Sequence, residues 1–318
     1  MKYKNITVAG GGVLGSQIAF QSAYCGYYVT IYAVDDESRK TTQGKLDNLK
    51  ETYINTINNM SKDNLANGIS SIEEFNKTEC LKKVEEVQDR IRIVTDLEIA
   101  LRNADLLIES IPEDINIKNE FYKSINDILP EKTVVVTNSS TLLPSVLSKN
   151  LDQPDRFLAL HFANYIWKNN TAEVMGHEKT DEKYFNELVE FAKSINMVPL
   201  EIKKEKAGYL LNSLLVPFLL CAMDLLANEV SDVENIDKAW KLGTGAPNGP
   251  FEILDVVGLE TAKNIVEQYI KVPNILDPLF KKMMLPYSYD KMLDVLNKYI
   301  SENKMGRATK EGFYKYDK

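Results

Sequence analysis

Residues 6–17 read ITVAGGGVLGSQ, and the fold follows from how this stretch is parsed. A short β-branched run leads into Gly10, Gly12 and Gly15 at the G-x-G-x-x-G spacing, and an apolar helix start follows at Gln17, Ile18 and Ala19. Strand, tight turn and helix in that order give the glycines their meaning. Gly10 takes the turn without steric cost, Gly12 lets the backbone approach a pyrophosphate, and Gly15 lets the helix pack closely on the strand. The helix N-terminus adds unpaired N–H groups and the positive end of a dipole. An ordinary glycine-rich turn shares the spacing but not the flanks, so the stretch predicts dinucleotide binding.

Working outward, the second strand is YVTIY, residues 28–32, followed by Ala33. Dinucleotide folds usually place an acid about there to accept a hydrogen bond from the ribose 2′-hydroxyl. Here Asp35 and Asp36 follow from the loop, with Arg39 and Lys40 beyond them; with no arginine at Val34 the pattern favours NAD over NADP. The pattern then predicts a helical excursion over 38–60 and 73–87. Parallel-strand grammar resumes with IRIVT (91–95), a short helix from Leu97, ADLLIESI (104–111), a helix over 113–129 stopped by Pro130, and TVVVT (133–137). Nearly wholly apolar strands alternating with helices predict a parallel sheet covered on both faces, with the ligand at the strands' carboxyl ends.

RFLALHFAN (156–164) places His161 and Asn164 near a strand end, and TAEVMG (171–176) can pair back on it carrying Glu173. A helix over 181–195 and a strand over 198–203 close the first domain. Only helices are predicted beyond Ala207. The expected architecture is an α/β Rossmann-type doubly wound sheet in residues 1–204, followed by an all-α C-terminal domain in residues 205–318. A helical domain of that size often completes its core against a second copy, which predicts a homodimer.

Composition bounds the partners. At 318 residues and 44% hydrophobic the chain can bury a sizeable core. A net charge of −8, with cations interspersed among more numerous acids, argues against nucleic acid. Cys25, Cys80 and Cys221 have neither C-x-x-C nor metal-ligand spacing, so reduced core thiols in a cytoplasmic protein and no metal are expected. Met1 leads directly into the first strand, so no leader is expected. No run approaches a membrane span; the longest apolar one, 210–227, contains Asn212, Ser213, Pro217 and Asp224 and is expected to be a buried helix.

Oxidising a secondary alcohol needs a base for its proton, a group to orient that base and donors for the oxygen. His161 with Glu173 twelve residues later fits the first two, although a buried histidine satisfied by a structural glutamate has the same appearance. His177 falls in a polar turn and is expected to be a solvated loop residue. Ser139 and Ser140 follow another strand end.

The pieces GGGVLG, ADLLIESIPEDINIK, TNSSTL, RFLALHFAN, AGYLLNSLLVPFL, LGTGAPNGPFEILDVVGL and EGFYKY, in this order and spacing, resemble the L-3-hydroxyacyl-CoA dehydrogenase family over nearly the whole chain. The resemblance implies NAD as cofactor, a catalytic His161–Glu173 pair, and Ser140 with Asn212 holding the substrate oxygen. It also implies cofactor contacts at Gly10, Gly12, Val13, Leu14, Gly15, Glu113, Lys118 and Asn164. The implied function is NAD-dependent interconversion of a 3-hydroxyacyl group, CoA-linked or not, and its 3-keto form.

Three departures concern the acyl carrier. Asn164 is followed by Tyr165, Ile166 and Trp167 in place of the family's proline. The lysine-rich stretch that meets the coenzyme A phosphates falls on ETYINTI (51–57), which has no cation; Lys45 and Lys50 are the nearest. The family's C-terminal lysine is Ala308, beside Arg307. NSSTLLPS, HFAN-x-x-W and NNTAEVMG more closely resemble the diketoreductase-like branch, so an NADH-dependent diketo or keto-ester reductase acting on free small molecules is the alternative. A non-catalytic dinucleotide-binding structural or sensor protein is the alternative of another class, against which the intact Ser140, His161, Glu173 and Asn212 set stands.

Overall fold

Eight short strands form one sheet in the computed structural model, which describes residues 2–270 and 287–316. They are β1 (Asn5–Ala9), β2 (Tyr28–Tyr32), β3 (Ile91–Val94), β4 (Leu106–Glu109), β5 (Val134–Thr137), β6 (Phe157–Phe162), β7 (Thr171–Met175) and β8 (Val198–Ile202), in the order β3-β2-β1-β4-β5-β6-β7-β8. The first six run parallel, β7 is antiparallel to β6, and β8 is parallel to β7. Every residue of β4, β5 and β6 is buried, which is why these segments are almost continuously apolar rather than alternating. The order reverses at β1, whose neighbours are β2 and β4, so the glycine loop leaves the sheet at a topological switch point.

Helices cover the sheet: α1 (Val13–Tyr24), α2 (Asp36–Asn59), α3 (Lys77–Arg90), α4 (Leu97–Leu101), α5 (Ile115–Ile125), α6 (Pro144–Leu147) and α7 (Glu182–Ser194). The starts of α3 and α5 fall later than the periodicity predicts, for the same reason. The Asn76 side chain accepts from Thr78 and Glu79 N–H, so α3 begins at Lys77 rather than 73. The Asp114 side chain accepts from Asn116 and Ile117 N–H, so α5 begins at Ile115 rather than 113. A side-chain acceptor for the first unpaired N–H groups fixes the start more strictly than the apolar pattern does. α5 also ends at Ile125, short of the 129 expected, and turns lead on to Pro130.

The chain divides into two compact units, Met1–Leu210 and Leu211–Lys318. The second is helical: α8 (Leu211–Ala227), α9 (Val233–Thr244), α10 (Pro250–Val257), α11 (Leu259–Ile270) and α12 (Tyr289–Ser301). Its core gathers Leu219, Leu220, Met223, Phe251, Leu254, Met292 and Leu296. Buried Asp255 ties down the chain end, accepting from Phe313 and Tyr314 N–H and from the Tyr316 hydroxyl.

Two expectations are corrected here. The 210–227 run is not a wholly buried helix: Leu219, Leu220, Ala222 and Met223 are buried, whereas Leu214 is 75% exposed. Nor are all three cysteines core thiols, because Cys221 is exposed on the same helix. No helix among the described residues is long and apolar enough to cross a membrane.

Candidate active site

The glycine loop connects β1 to α1 with the geometry that a pyrophosphate requires. Gly10 has φ +102°, and a Cβ there would lie 2.5 Å from the Ser110 carbonyl oxygen on the adjoining β4 connection. A Cβ on Gly15 would collide with the Gly10 carbonyl oxygen. At Gly12 the opposite holds: no atom lies within 4 Å of where a Cβ would stand, so the backbone faces open space. Gly12 is the N-cap of α1, has no side-chain cap, and no acid occupies the first helical turn. Val13 and Leu14 begin that turn, and the N-terminal N–H groups and dipole of α1 are left for an external anion. A cavity of about 550 Å³ opens here, lined by Gly10, Gly12, Tyr32, Ala33, Glu37 and Lys45 among others. Room, free donors and a bare positive helix end fit the dinucleotide expected of this loop.

The other strand ends converge on a hydrogen-bonded chain. His161 and Glu173 are direct partners across the antiparallel β6–β7 pair, and His161 Nδ1 lies 2.8 Å from Glu173 Oε2. A carboxylate only accepts, so Nδ1 carries the proton and Nε2 keeps its lone pair. Nε2 accepts from the Ser140 hydroxyl at 3.1 Å. The second carboxylate oxygen of Glu173 accepts from Leu210 N–H at 2.8 Å. His161 and Glu173 are 6% and 2% exposed. The arrangement is a buried, oriented imidazole with one basic nitrogen beside a hydroxyl, able to accept a proton and to stabilise the resulting charge.

The Ser140 loop is held from below by Glu113. Its Oε1 accepts from Ser139 Oγ (2.5 Å), Ser140 N–H (3.1 Å), Thr141 N–H (3.0 Å) and Thr141 Oγ1 (2.8 Å). Burial pushes the Glu113 carboxyl up, but the Ser139 and Thr141 hydrogen bonds and the Lys118 charge outweigh it and bring it below its ordinary range. Lys118 is 1% exposed. Its Nζ lies 2.5 Å from Glu109 Oε1 and 3.4 Å from Glu113 Oε2. Glu109 is wholly buried and also accepts from Tyr122 Oη, Thr137 Oγ1 and Ile111 N–H.

Asn164 is exposed just after β6. The next residue, Tyr165, has φ +60°, unusual for a bulky side chain, and its N–H donates to Gln17 Oε1 at 2.8 Å. Asn212 stands in the first turn of α8, in the second unit. Lys50 pairs with Glu85 at 2.7 Å, and Lys45 Nζ lies 3.4 Å from the Gly11 carbonyl oxygen. His177 is not a solvated residue: it is half-buried with Nε2 donating to the Pro154 carbonyl oxygen at 3.0 Å.

Two residues of this constellation escaped the sequence reading. Tyr209 is 1% exposed, stacks on His161 with ring centroids 4.6 Å apart, and donates its hydroxyl to the Ser139 carbonyl oxygen at 2.7 Å. Burial holds its phenol far above the ordinary range, so it stays a donor. Glu109 could have been flagged as a lone charge inside the apolar strand ADLLIESI. Nothing set Tyr209 apart from any other aromatic next to an apolar helix.

Similarity to known proteins extends over nearly the whole chain. The family model for the NAD-binding domain of 3-hydroxyacyl-CoA dehydrogenase matches residues 5–206, and that for its C-terminal domain matches residues 208–316. The chain is 34% identical to the mitochondrial hydroxyacyl-coenzyme A dehydrogenase of Homo sapiens, over 98% of this chain and 91% of the relative. It is 29% identical to the 3-hydroxybutyryl-CoA dehydrogenase of Clostridioides difficile, over 98% and 99% of the two chains. Among solved structures, a diketoreductase described by its substrate-directed dual catalysis of dicarbonyl compounds is 42% identical, with a TM-score of 0.83 and coverage of 99% and 100%.

Proposed function

We propose, for a chain that belongs to the 3-hydroxyacyl-CoA dehydrogenase family, that it is an NAD-dependent enzyme interconverting a 3-hydroxyacyl group and its 3-keto form with His161 and Glu173 as the proton-handling pair. The observation that carries this reading is the Ser140–His161–Glu173 chain, in which the basic imidazole lone pair is on Nε2, beside the Ser140 hydroxyl. In oxidation the 3-hydroxyl gives its proton to Nε2. Glu173, hydrogen-bonded to Nδ1, compensates the imidazolium charge, and Ser140 orients the substrate oxygen. In reduction the same groups return the proton. Bound NAD supplies the hydride acceptor, and NADH the donor. We assign its contacts to Gly10, Gly12, Val13, Leu14 and Gly15 with the N–H groups of α1, and to Glu113 and Asn164. Lys118, fully buried, acts on it through Glu113.

A second reading concerns the acyl carrier. α2 offers no free cation where the coenzyme A phosphates would lie, since Lys50 is paired with Glu85 and Lys45 is turned to the glycine loop. The cavity beside that helix is lined by Thr52, Asn55, Thr56, Asn59 and Asn64, with Lys168 as its only cation. Together with the 42% identity to a diketoreductase, this favours keto esters or diketo acids free of coenzyme A. Following NADH absorbance with acetoacetyl-CoA and with the matching ethyl ester separates the two readings. Faster oxidation with the thioester keeps coenzyme A in the reaction, and a clear preference for the ester removes it.

We assign the second unit to homodimerisation. Leu211, Leu214, Phe218, Cys221 and Leu225 recur along α8 at spacings of three and four, within an arc of roughly 80° at 3.6 residues per turn. All five are exposed or half-exposed. An apolar stripe on the face opposite Leu219, Leu220 and Met223 is what a second copy would cover.

A further inference from the structure

Three consecutive acids, Asp35, Asp36 and Glu37, open α2, and the structure gives them different employment. Asp35 is the N-cap, its Oδ1 accepting from Ser38 N–H at 2.7 Å. Asp36 pairs with Arg39 at 3.0 Å. Glu37 has no side-chain hydrogen bond or ion pair among the described residues, and it is the only one of the three that lines the cavity beside the glycine loop. Ala33, at the end of β2, lines the same cavity with a methyl group that is 2% exposed. The side chain at the position usually held by an acid therefore offers no acceptor.

We propose that Glu37 selects the cofactor, accepting the 2′-hydroxyl of its adenosine ribose and repelling a 2′-phosphate; this rests on the reading of the cavity as the NAD site. The role usually filled by an acid at the end of the second strand is moved four residues on, to the first turn of the following helix.

The electrostatics of the two helix ends agree with this division. α1 begins bare, with neither a side-chain cap nor an acid in its first turn, and suits the anionic pyrophosphate. α2 begins with a capping aspartate and with Asp36 and Glu37 in its first turn, so its dipole is already met by carboxylates. A phosphate at that end would face like charge. Of the neighbouring cations, neither Arg39 nor Lys40 lines the cavity. Arg39 is held by Asp36. Lys45 lies eight residues further along α2, about 12 Å at 1.5 Å per residue, with Nζ beside the Gly11 carbonyl oxygen.

Titrating the intact protein with NADH and NADPH, followed by the fluorescence of the bound reduced nicotinamide, tests this without any substrate. The unaltered protein is expected to prefer NADH, and Glu37→Gln to narrow that preference by about tenfold to a hundredfold, the span of one hydrogen bond to a charged group. Adding Ala33→Asp to Glu37→Gln should restore the preference. An NADH-to-NADPH ratio unchanged in Glu37→Gln overturns the proposal while leaving the cofactor site standing. Failure of the unaltered protein to bind NADH overturns the reading of the cavity and the role of Glu37 with it.

Discussion

The phenol ring of Tyr209 lies nearly flat on the imidazole of His161, with planes 20° from parallel, while its hydroxyl holds the carbonyl of Ser139, the neighbour of Ser140. One side chain thus covers the proposed base and fixes the loop that carries its hydroxyl partner. Tyr209→Phe keeps the ring and loses the bond, a net change of about 0.5–1.5 kcal/mol; we expect kcat to fall by up to about tenfold with NADH affinity unchanged. Tyr209→Leu removes the ring as well and should fall further. Equal activity in the two variants would assign nothing to the stacking.

His161→Gln removes the imidazole nitrogen that takes the substrate proton in the proposed reaction. Turnover should fall by about 10²–10⁴, the usual contribution of a general base, with NADH titrating as before. Glu173→Gln removes the compensating charge, and its single amide oxygen cannot serve both His161 Nδ1–H and Leu210 N–H; it still leaves the imidazole in place and should cost less. Steady-state rates on both variants check the order, and normal turnover in His161→Gln would take that residue out of the mechanism.

Lys118 and Glu109 form an ion pair almost wholly out of water. Removing one member strands the other, at about 3–5 kcal/mol. Lys118→Met should therefore lower the urea midpoint sharply, and Lys118→Met combined with Glu109→Gln should recover part of the loss. A double variant less stable than the single would mean that the two charges are not coupled.

The depressed Glu113 carboxyl has a definite sign in acid. Its folded value lies below the ordinary 4.5, so the stabilisation it contributes is present above that value and is lost as pH falls through the lower, folded one. Urea denaturation of the protein and of Glu113→Gln, compared from pH 7 downward, should show a gap that is constant to about 4.5 and closes below it. A gap independent of pH would deny the titration.

The α8 stripe predicts a mass of two chains in sedimentation velocity at micromolar concentration. Leu214→Glu places a charge at its most exposed position and should shift the mass toward one chain without loss of helicity. A single-chain mass for the unaltered protein would leave the stripe without its proposed occupant.

Much of the sheet was legible because each strand is an apolar run bounded by turn residues, and because β6 and β7 are joined by too few residues for a crossover. The starts of α3 and α5 are not legible in the apolar period, because the Asn76 and Asp114 caps override it. Three adjacent acids look alike in sequence, and only the capping bond of Asp35 and the pairing of Asp36 set Glu37 apart. The exposure of Leu214 and Cys221 was hidden by composition: a run apolar all round looks buried whether its second face meets the same chain or another.

The reversal of direction between β6 and β7 has a consequence for the order in which this molecule assembles. Parallel neighbours such as β1 and β4 cannot meet until the whole intervening stretch has been gathered, a slow and non-local event. A hairpin closes within about 1–10 μs. His161 and Glu173 sit opposite one another in the most local strand pairing of the sheet, so the two side chains can find their register before the fold around them exists.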